Sequence, residues 1–127
     1  MVTNCDIIVE ADYADLYDFH ITNNYDITLV ASAMSYKIPY GICELNQGGA
    51  LDCIKEKPEY NFLVNTGLYV LNPDVLDCIP SDQLYHITHL IEEIKACGMN
   101  VGVYPIAEGS WIDVGQWAEY RKALDLL

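Results

Sequence analysis

The chain has 127 residues, is 52% hydrophobic, and carries 19 acidic residues against six lysines and arginines, giving a formal net charge of -13. That length supports one compact domain, and the abundance of Tyr, Ile, Leu and Val excludes intrinsic disorder, because enough apolar surface is available to offset the ordering entropy. The basic residues are scattered at Lys37, Lys55, Lys57, Lys95, Arg121 and Lys122, so no positive stripe exists to follow a nucleic-acid backbone.

Val2 to Val9 reads as a buried strand, broken near its middle by Asn4 and Asp6. Asp12 then caps a helix that sets Tyr13, Leu16, Tyr17 and His20 on one face, and Asn23-Asn24 supplies a left-handed stop. Ile27 to Ala33 is apolar and β-branched, predicting a strand. The segments Ile38-Pro39-Tyr40-Gly41-Ile42-Cys43 and Leu51-Asp52-Cys53-Ile54 flank the turn signal Asn46-Gln47-Gly48-Gly49, predicting a hairpin. Phe62 to Leu71 reads as a further strand. Asn72-Pro73-Asp74 opens a short helix with a cap, ending at Pro80. His86 to Ala96 has Ile87, Leu90, Ile91 and Ile94 on one face, with Gly98 as its stop and Val101 to Tyr104 as the next strand. A last helix is expected from about Gly115, burying Trp117, Tyr120 and Leu124. Alternating strands and helices predict an α/β fold with a mostly parallel sheet flanked by helices, the hairpin around residues 38–57 being the one antiparallel element.

The five cysteines, Cys5, Cys43, Cys53, Cys78 and Cys97, are widely spaced among apolar neighbours and form no CxxC pair. They read as reduced core thiols of a cytoplasmic protein. No secretory signal opens the chain, and no apolar run approaches the roughly 18 residues that a membrane helix needs.

Two aspartates stand out. Asp6 either faces solvent at a strand end or lies at the carboxyl end of a parallel strand, where α/β sheets place ligands, and holds a hard cation such as Mg²⁺. Asp113, in Trp111-Ile112-Asp113-Val114-Gly115, caps the helix after it, binds a metal with its other oxygen, or does both. Glu56-Lys57-Pro58 closes a strand. The pair is either a solvated strand end or, with a carboxylate for hydroxyls and an ammonium for phosphate, suited to a phosphorylated sugar. Asn65-Thr66-Gly67 interrupts the next strand with two hydrogen-bonding side chains and a glycine that permits close backbone approach, again suiting a polyol. His86 and His89 lack the further ligands of a zinc set, and His86 is better placed as the N-cap of the helix that follows it. No Gly-x-Ser-x-Gly, Walker A or Cys/His pattern is present.

Taken together and in order, Asn4-Cys5-Asp6, Tyr40-Gly41-Ile42, Glu56-Lys57-Pro58, Asn65-Thr66-Gly67-Leu68-Tyr69 and Trp111-Ile112-Asp113-Val114-Gly115 resemble the sugar-1-phosphate nucleotidylyltransferase family, in its mannose-1-phosphate guanylyltransferase-like branch. The resemblance implies a Rossmann-like nucleotide-diphospho-sugar transferase fold. It also implies an Mg²⁺-dependent reaction in which a nucleoside triphosphate and a sugar 1-phosphate give a nucleotide sugar and pyrophosphate. Asp6 and Asp113 would hold Mg²⁺ and act with Lys57 in catalysis. Tyr40, Gly41, Glu56, Lys57, Asn65, Thr66 and Gly67 would line the sugar-phosphate pocket.

Two departures from the family pattern matter. Many relatives have Gly directly before the first Asp, where this chain has Cys5. The family's opening Gly-rich triphosphate loop has no counterpart here, so residues 1–127 are expected to be the carboxyl-terminal half of the fold, a truncated piece inactive by itself. Edge strands left open by the truncation would favour a homodimer. Two other readings stand beside this one: a non-catalytic sugar-phosphate-binding or regulatory module of the same lineage, and a metal-dependent glycosyltransferase.

Overall fold

The computed structural model describes residues 1–116, so the expected last helix with Trp117, Tyr120 and Leu124 lies outside the described residues. The described part holds strands β1 (Val2–Thr3) and β2 (Ile7–Val9), helix α1 (Tyr13–Thr22), strands β3 (Ile27–Lys37), β4 (Ile42–Leu45), β5 (Leu51–Lys55) and β6 (Glu59–Leu71), helix α2 (Ile87–Ala96), and strands β7 (Val101–Ile106) and β8 (Trp111–Asp113). None of its helices is long and apolar enough to cross a membrane.

Local chemistry accounts for most boundaries. Asp12 Oδ1 accepts from the backbone N–H groups of Ala14 and Asp15, both at 3.0 Å, which caps α1, and Asn24 follows it in the left-handed region at φ 52°. Gly98, at φ 80°, takes the same part after α2. Asn46 to Gly49 forms the β4–β5 turn, with both glycines at positive φ. Two expected caps differ. Asn72 and His86 stand at the starts of the Pro73–Cys78 3₁₀ turn and of α2, but neither side chain bonds the backbone it precedes.

The main sheet has the order β1-β6-β3-β7. It is mixed rather than mostly parallel. β1 and β3 both run antiparallel to β6, and β3 with β7 is the one parallel pair. The reason is the connection between β3 and β6, which is the β4–β5 hairpin and not a helix, so the chain returns in the opposite direction. β2 and β8 form a separate antiparallel ribbon. Val2 to Val9 is therefore two short strands in two sheets and is not buried, and Asp6 lies between them rather than at the end of a parallel strand.

Successive strand residues project to opposite faces, and each face of the sheet receives one helix. On one face Leu16 of α1 packs with Val30, Leu68, Val70 and Ile106, flanked by Ile7, Val9 and Trp111 of the β2–β8 ribbon. On the other, Leu90 and Ile94 of α2 pack with Ile27 and Val75. The buried His20 is satisfied on both nitrogens: Thr28 Oγ1 lies 2.8 Å from Nδ1, and Nε2 lies 3.0 Å from Asn72 Oδ1. Asn72 Nδ2 donates to the Tyr25 carbonyl, fixing its amide so that His20 carries its proton on Nε2. The cysteines are not core residues. All five are free thiols, four of them exposed and Cys53 half-buried.

Candidate functional site

The site begins with an irregularity in β6. Leu29 pairs with Tyr69 and Ala31 with Asn65, so one residue of β3 faces Thr66, Gly67 and Leu68 of β6. This bulge is held from inside: the Thr66 hydroxyl, buried, donates to the Val30 carbonyl at 2.9 Å. Asn65 Oδ1 accepts from Gly67 N at 3.1 Å, while its Nδ2 donates to the Tyr69 hydroxyl at 2.8 Å. Gly67 has φ 87°, a conformation that L side chains rarely adopt. A Cβ there would also lie 2.6 Å from Asn4 Nδ2, so the glycine lets Asn4 rest directly on the strand.

The β2–β8 ribbon brings in the acids. Ile7 pairs with Asp113, and the next bond, from Val114 N to the Asp6 carbonyl at 2.9 Å, sets Asp6 and Asp113 at the same end of the ladder. Asp113 Oδ1 accepts from Gly115 N at 3.0 Å. A Cβ built on Gly115 would lie 2.6 Å from Asp6 Oδ2 and 3.1 Å from Asp113 Oδ1, so both carboxylates border the same small space. A cleft of about 250 Å³ joins the two constructions, lined by Asp6 and Asp113, by Asn65, Thr66 and Gly67, and by Asn4, Ile7, Tyr69 and Trp111. The Trp111 Nε1–H is buried there with no hydrogen-bond partner among the described residues.

Two converging carboxylates with no nitrogen or sulfur donor form the ligand set of a hard cation, which takes oxygen ligands. The residues fit Mg²⁺ on that ground and on the space that the missing Gly115 side chain leaves between them. Asp113 closes a short turn by accepting from Gly115 N with one oxygen, and the Gln116 amide donates to the other at 3.4 Å; the helix it is expected to cap lies outside the described residues.

Of the expected site residues, Tyr40, Gly41, Glu56 and Lys57 do not line this cleft. They gather at the other end of the β3–β6 ribbon, beyond its last pair, Lys37 with Glu59. The six residue steps of β6 from Glu59 to Asn65 amount to at most about 20 Å of extended chain. Within this second group Gly41 leaves room for Glu56, whose Oε2 would be 3.0 Å from a Cβ at that position. Lys57 takes φ 44°, and Tyr40 is 74% exposed.

Sequence reasoning did not single out Asn4, Tyr69 and Trp111 as lining residues, although each stands in a motif that it quoted. The available signal was the polar Asn4 two residues before Asp6. It also missed a group on the β4–β5 hairpin, where Glu44, Asp52 and Cys53 bring one ligand atom each within 4.8 Å of one another. That group is already engaged by its own hairpin. Lys55 pairs with Glu44 at 2.5 Å, Cys53 Sγ donates to Glu44 at 3.0 Å, and Asn46 donates to Asp52 at 3.0 Å. The hydrogen bond to Glu44, with some burial and the carboxylate's charge, raises the Cys53 pKa.

Comparison with known proteins matches residues 1–127 to the family described as nucleotidyl transferase. The mannose-1-phosphate guanyltransferase of Yarrowia lipolytica is 34% identical over 120 residues, covering 91% of this chain and 32% of that protein. The mannose-1-phosphate guanyltransferase of Saccharomyces cerevisiae is 32% identical over 124 residues, with coverage of 91% and 32%. Among solved structures, HddC from Yersinia pseudotuberculosis matches with a TM-score of 0.65 at 18% identity, over 98% of this chain and 53% of that one. A putative glucose-1-phosphate thymidylyltransferase from Bacillus anthracis, in complex with a sucrose, matches at 0.62 and 18% identity, over 95% and 51%. The chain thus spans about a third of these curated relatives and about half of these solved chains. At such identity the structural likeness establishes a shared fold.

Proposed function

The chain belongs to the nucleotidyl transferase family, and from that premise we propose that it forms the metal-binding and sugar-phosphate-binding part of a sugar-1-phosphate nucleotidylyltransferase. The reaction is the condensation of a nucleoside triphosphate with a sugar 1-phosphate to a nucleotide sugar and pyrophosphate. The observation that carries this reading is the convergence of Asp6 and Asp113 on one space beside Asn65 and the Thr66–Leu68 bulge. The names of the relatives from Yarrowia lipolytica and Saccharomyces cerevisiae favour a mannose-1-phosphate guanylyltransferase-like branch.

The attacking group is a phosphate oxygen of the sugar phosphate, already anionic, and the bond that breaks joins the α-phosphorus of the nucleotide to its bridging oxygen. No protein nucleophile or strong base is needed, so the task of the chain is positioning and charge neutralisation. Asp6 and Asp113 would hold Mg²⁺, which when bound would neutralise phosphate charge and polarise phosphoryl oxygens. A chain of net charge -13 cannot attract two anionic substrates with its overall field, which makes this local positive charge and that of Lys57 necessary. Lys57 and Glu56, which stand apart from the cleft at the open end of the β3–β6 ribbon, meet the sugar phosphate as a point charge and as an acceptor for sugar hydroxyls where the substrates span the two groups, with Tyr40-Gly41 offering backbone groups beside them. Asn65 presents its amide at the cleft. The Thr66 hydroxyl is spent on the Val30 carbonyl, so Thr66 serves by holding the bulge on which Asn4 rests.

No Gly-rich triphosphate loop occurs within residues 1–127, so we assign to this chain the sugar-phosphate and metal share of the reaction and not turnover by itself. Its free thiols support a reducing, cytoplasmic setting. The test is pyrophosphate release by the complete gene product carrying this chain, across nucleoside triphosphates and sugar 1-phosphates. Asp6→Asn, Asp113→Asn and Lys57→Ala should each lower turnover at least about a hundredfold, as loss of a charge-stabilising group does. Undiminished turnover in all three would sink the assignment.

A further inference from the structure

Resting on the reading of Asp6 and Asp113 as cation ligands, we propose that Gly115 is a positioning residue that keeps the cation's space open between the two carboxylates and orients one of them. Gly67, Gly98 and Gly109 have φ values of 87°, 80° and 85°, where L side chains are strained. Gly115 is not in that region, so its backbone conformation is open to any residue. What excludes a side chain is space alone. The three atoms nearest a Cβ at Gly115 are Asp6 Oδ2 at 2.6 Å, Asp113 Oδ1 at 3.1 Å and Asp6 Cγ at 3.4 Å. Every one belongs to a carboxylate, and none to the backbone or the core.

The glycine acts a second time through its amide. Its N–H donates to Asp113 Oδ1 at 3.0 Å, which fixes that carboxylate beside the space that the absent side chain leaves. Asp6 has no such restraint among the described residues: its exposed carboxylate accepts no hydrogen bond from them. A methyl group at position 115 therefore has one easy outlet, the displacement of Asp6 away from Asp113. The fold is spared and the convergence of the two ligands is lost.

The experiment is Mn²⁺ binding to the 127-residue chain, read as free-ion electron paramagnetic resonance, for wild type, Gly115→Ala, Asp6→Asn and the double variant. Circular dichroism and the metal-free unfolding midpoint are recorded for each. Gly115→Ala should keep the wild-type spectrum and midpoint and weaken Mn²⁺ binding about 10- to 100-fold, the range seen when a residue supporting a metal ligand is altered. In the Asp6→Asn background the same substitution should change affinity by no more than about twofold, because the methyl acts through Asp6. Gly115→Ala binding as wild type does, losing its fold, or adding its full effect to Asp6→Asn overturns the role of Gly115 while leaving the cation reading intact. A wild-type chain that takes up no Mn²⁺ overturns both.

Discussion

The β3–β6 ribbon is one continuous pairing with two unlike ends. Where Ile27 meets Leu71 the strands lie between two helices, and Ile27, Val30, Leu68 and Val70 are buried. Where Lys37 meets Glu59 the same strands run out into solvent, with Tyr36 65% and Phe62 54% exposed, and pass into the exposed β4–β5 hairpin. The bulge at Thr66 to Leu68 marks the change. Asp6 and Asp113 belong to the β2–β8 ribbon, whose Ile7 and Trp111 pack against the core, and Asn65 is the first regularly paired residue on the bulge's open side. Glu56 and Lys57 stand at the open end, where little but the strand pairing fixes them. Metal ligands gain from rigid placement, whereas a flexible ammonium that binds phosphate as a point charge tolerates a mobile support.

Core truncation sharpens this contrast most. Leu68→Ala, on the packed side, should cost about 2 to 5 kcal/mol in denaturant unfolding, through lost burial and the cavity left behind. Leu51→Ala, 56% exposed on the hairpin, should stay within about 0.5 kcal/mol. Equal losses at both sites would mean that the hairpin is covered in solution and that the two ends do not differ. Next in size is Thr66→Val, which keeps the shape but strands the Val30 carbonyl inside the sheet. It should cost about 1 to 3 kcal/mol and disturb the Asn4 and Gly67 amide resonances.

On the hairpin the expected effects are of reactivity rather than stability. The Glu44 carboxylate raises the Cys53 pKa, so Glu44→Gln should speed alkylation of Cys53 by iodoacetamide at mildly alkaline pH with the unfolding midpoint unchanged. A slower reaction would show that Glu44 does not restrain the thiol. The smallest effect belongs to the surface of α1. Tyr104 donates to Asp15 at 2.5 Å, and that bond, with burial and the Asp15 charge, pushes the phenol up from 10.0 to about 12. Because the folded value is the higher one, the stabilisation is complete below pH 10 and is lost as pH rises through about 12. The midpoint difference between wild type and Tyr104→Phe should therefore be constant at neutral pH and shrink toward zero in that alkaline window.

Much of this organisation is legible in the residues themselves. Asp12, Asn24 and Gly98 mark helix ends by chemistry that acts within one turn, and Asn46 to Gly49 sets its hairpin for the same local reason. Strand direction is not local. The period of two says that Val30 and Leu68 face a core, yet it is the same for parallel and antiparallel neighbours, so helix counting predicted a mostly parallel sheet that the β4–β5 connection reverses. The apolar neighbours of the cysteines misled in a similar way, since Cys43 and Cys53 sit on a separate two-stranded hairpin that leaves the first exposed and the second half-buried. In the site, Asp6 and Asp113 were visible as charges out of place. Their meeting depends on the β2–β8 register, and the lining by Asn4 and Trp111 depends on the bulge, and both join residues about a hundred or about sixty positions apart in ways that no local pattern encodes.

The two ends of the ribbon also offer a cation two acidic addresses, the Asp6–Asp113 cleft and the Glu44, Asp52, Cys53 group on the hairpin. Amide NMR spectra of the chain titrated with paramagnetic Mn²⁺ decide between them. With the cation in the cleft, broadening should begin at Asn4 to Ile7, Asn65 to Gly67 and Trp111 to Gly115 while Ile42 to Lys55 stays sharp. Broadening that begins at Glu44, Asp52 and Cys53 and leaves the cleft untouched would contradict that placement.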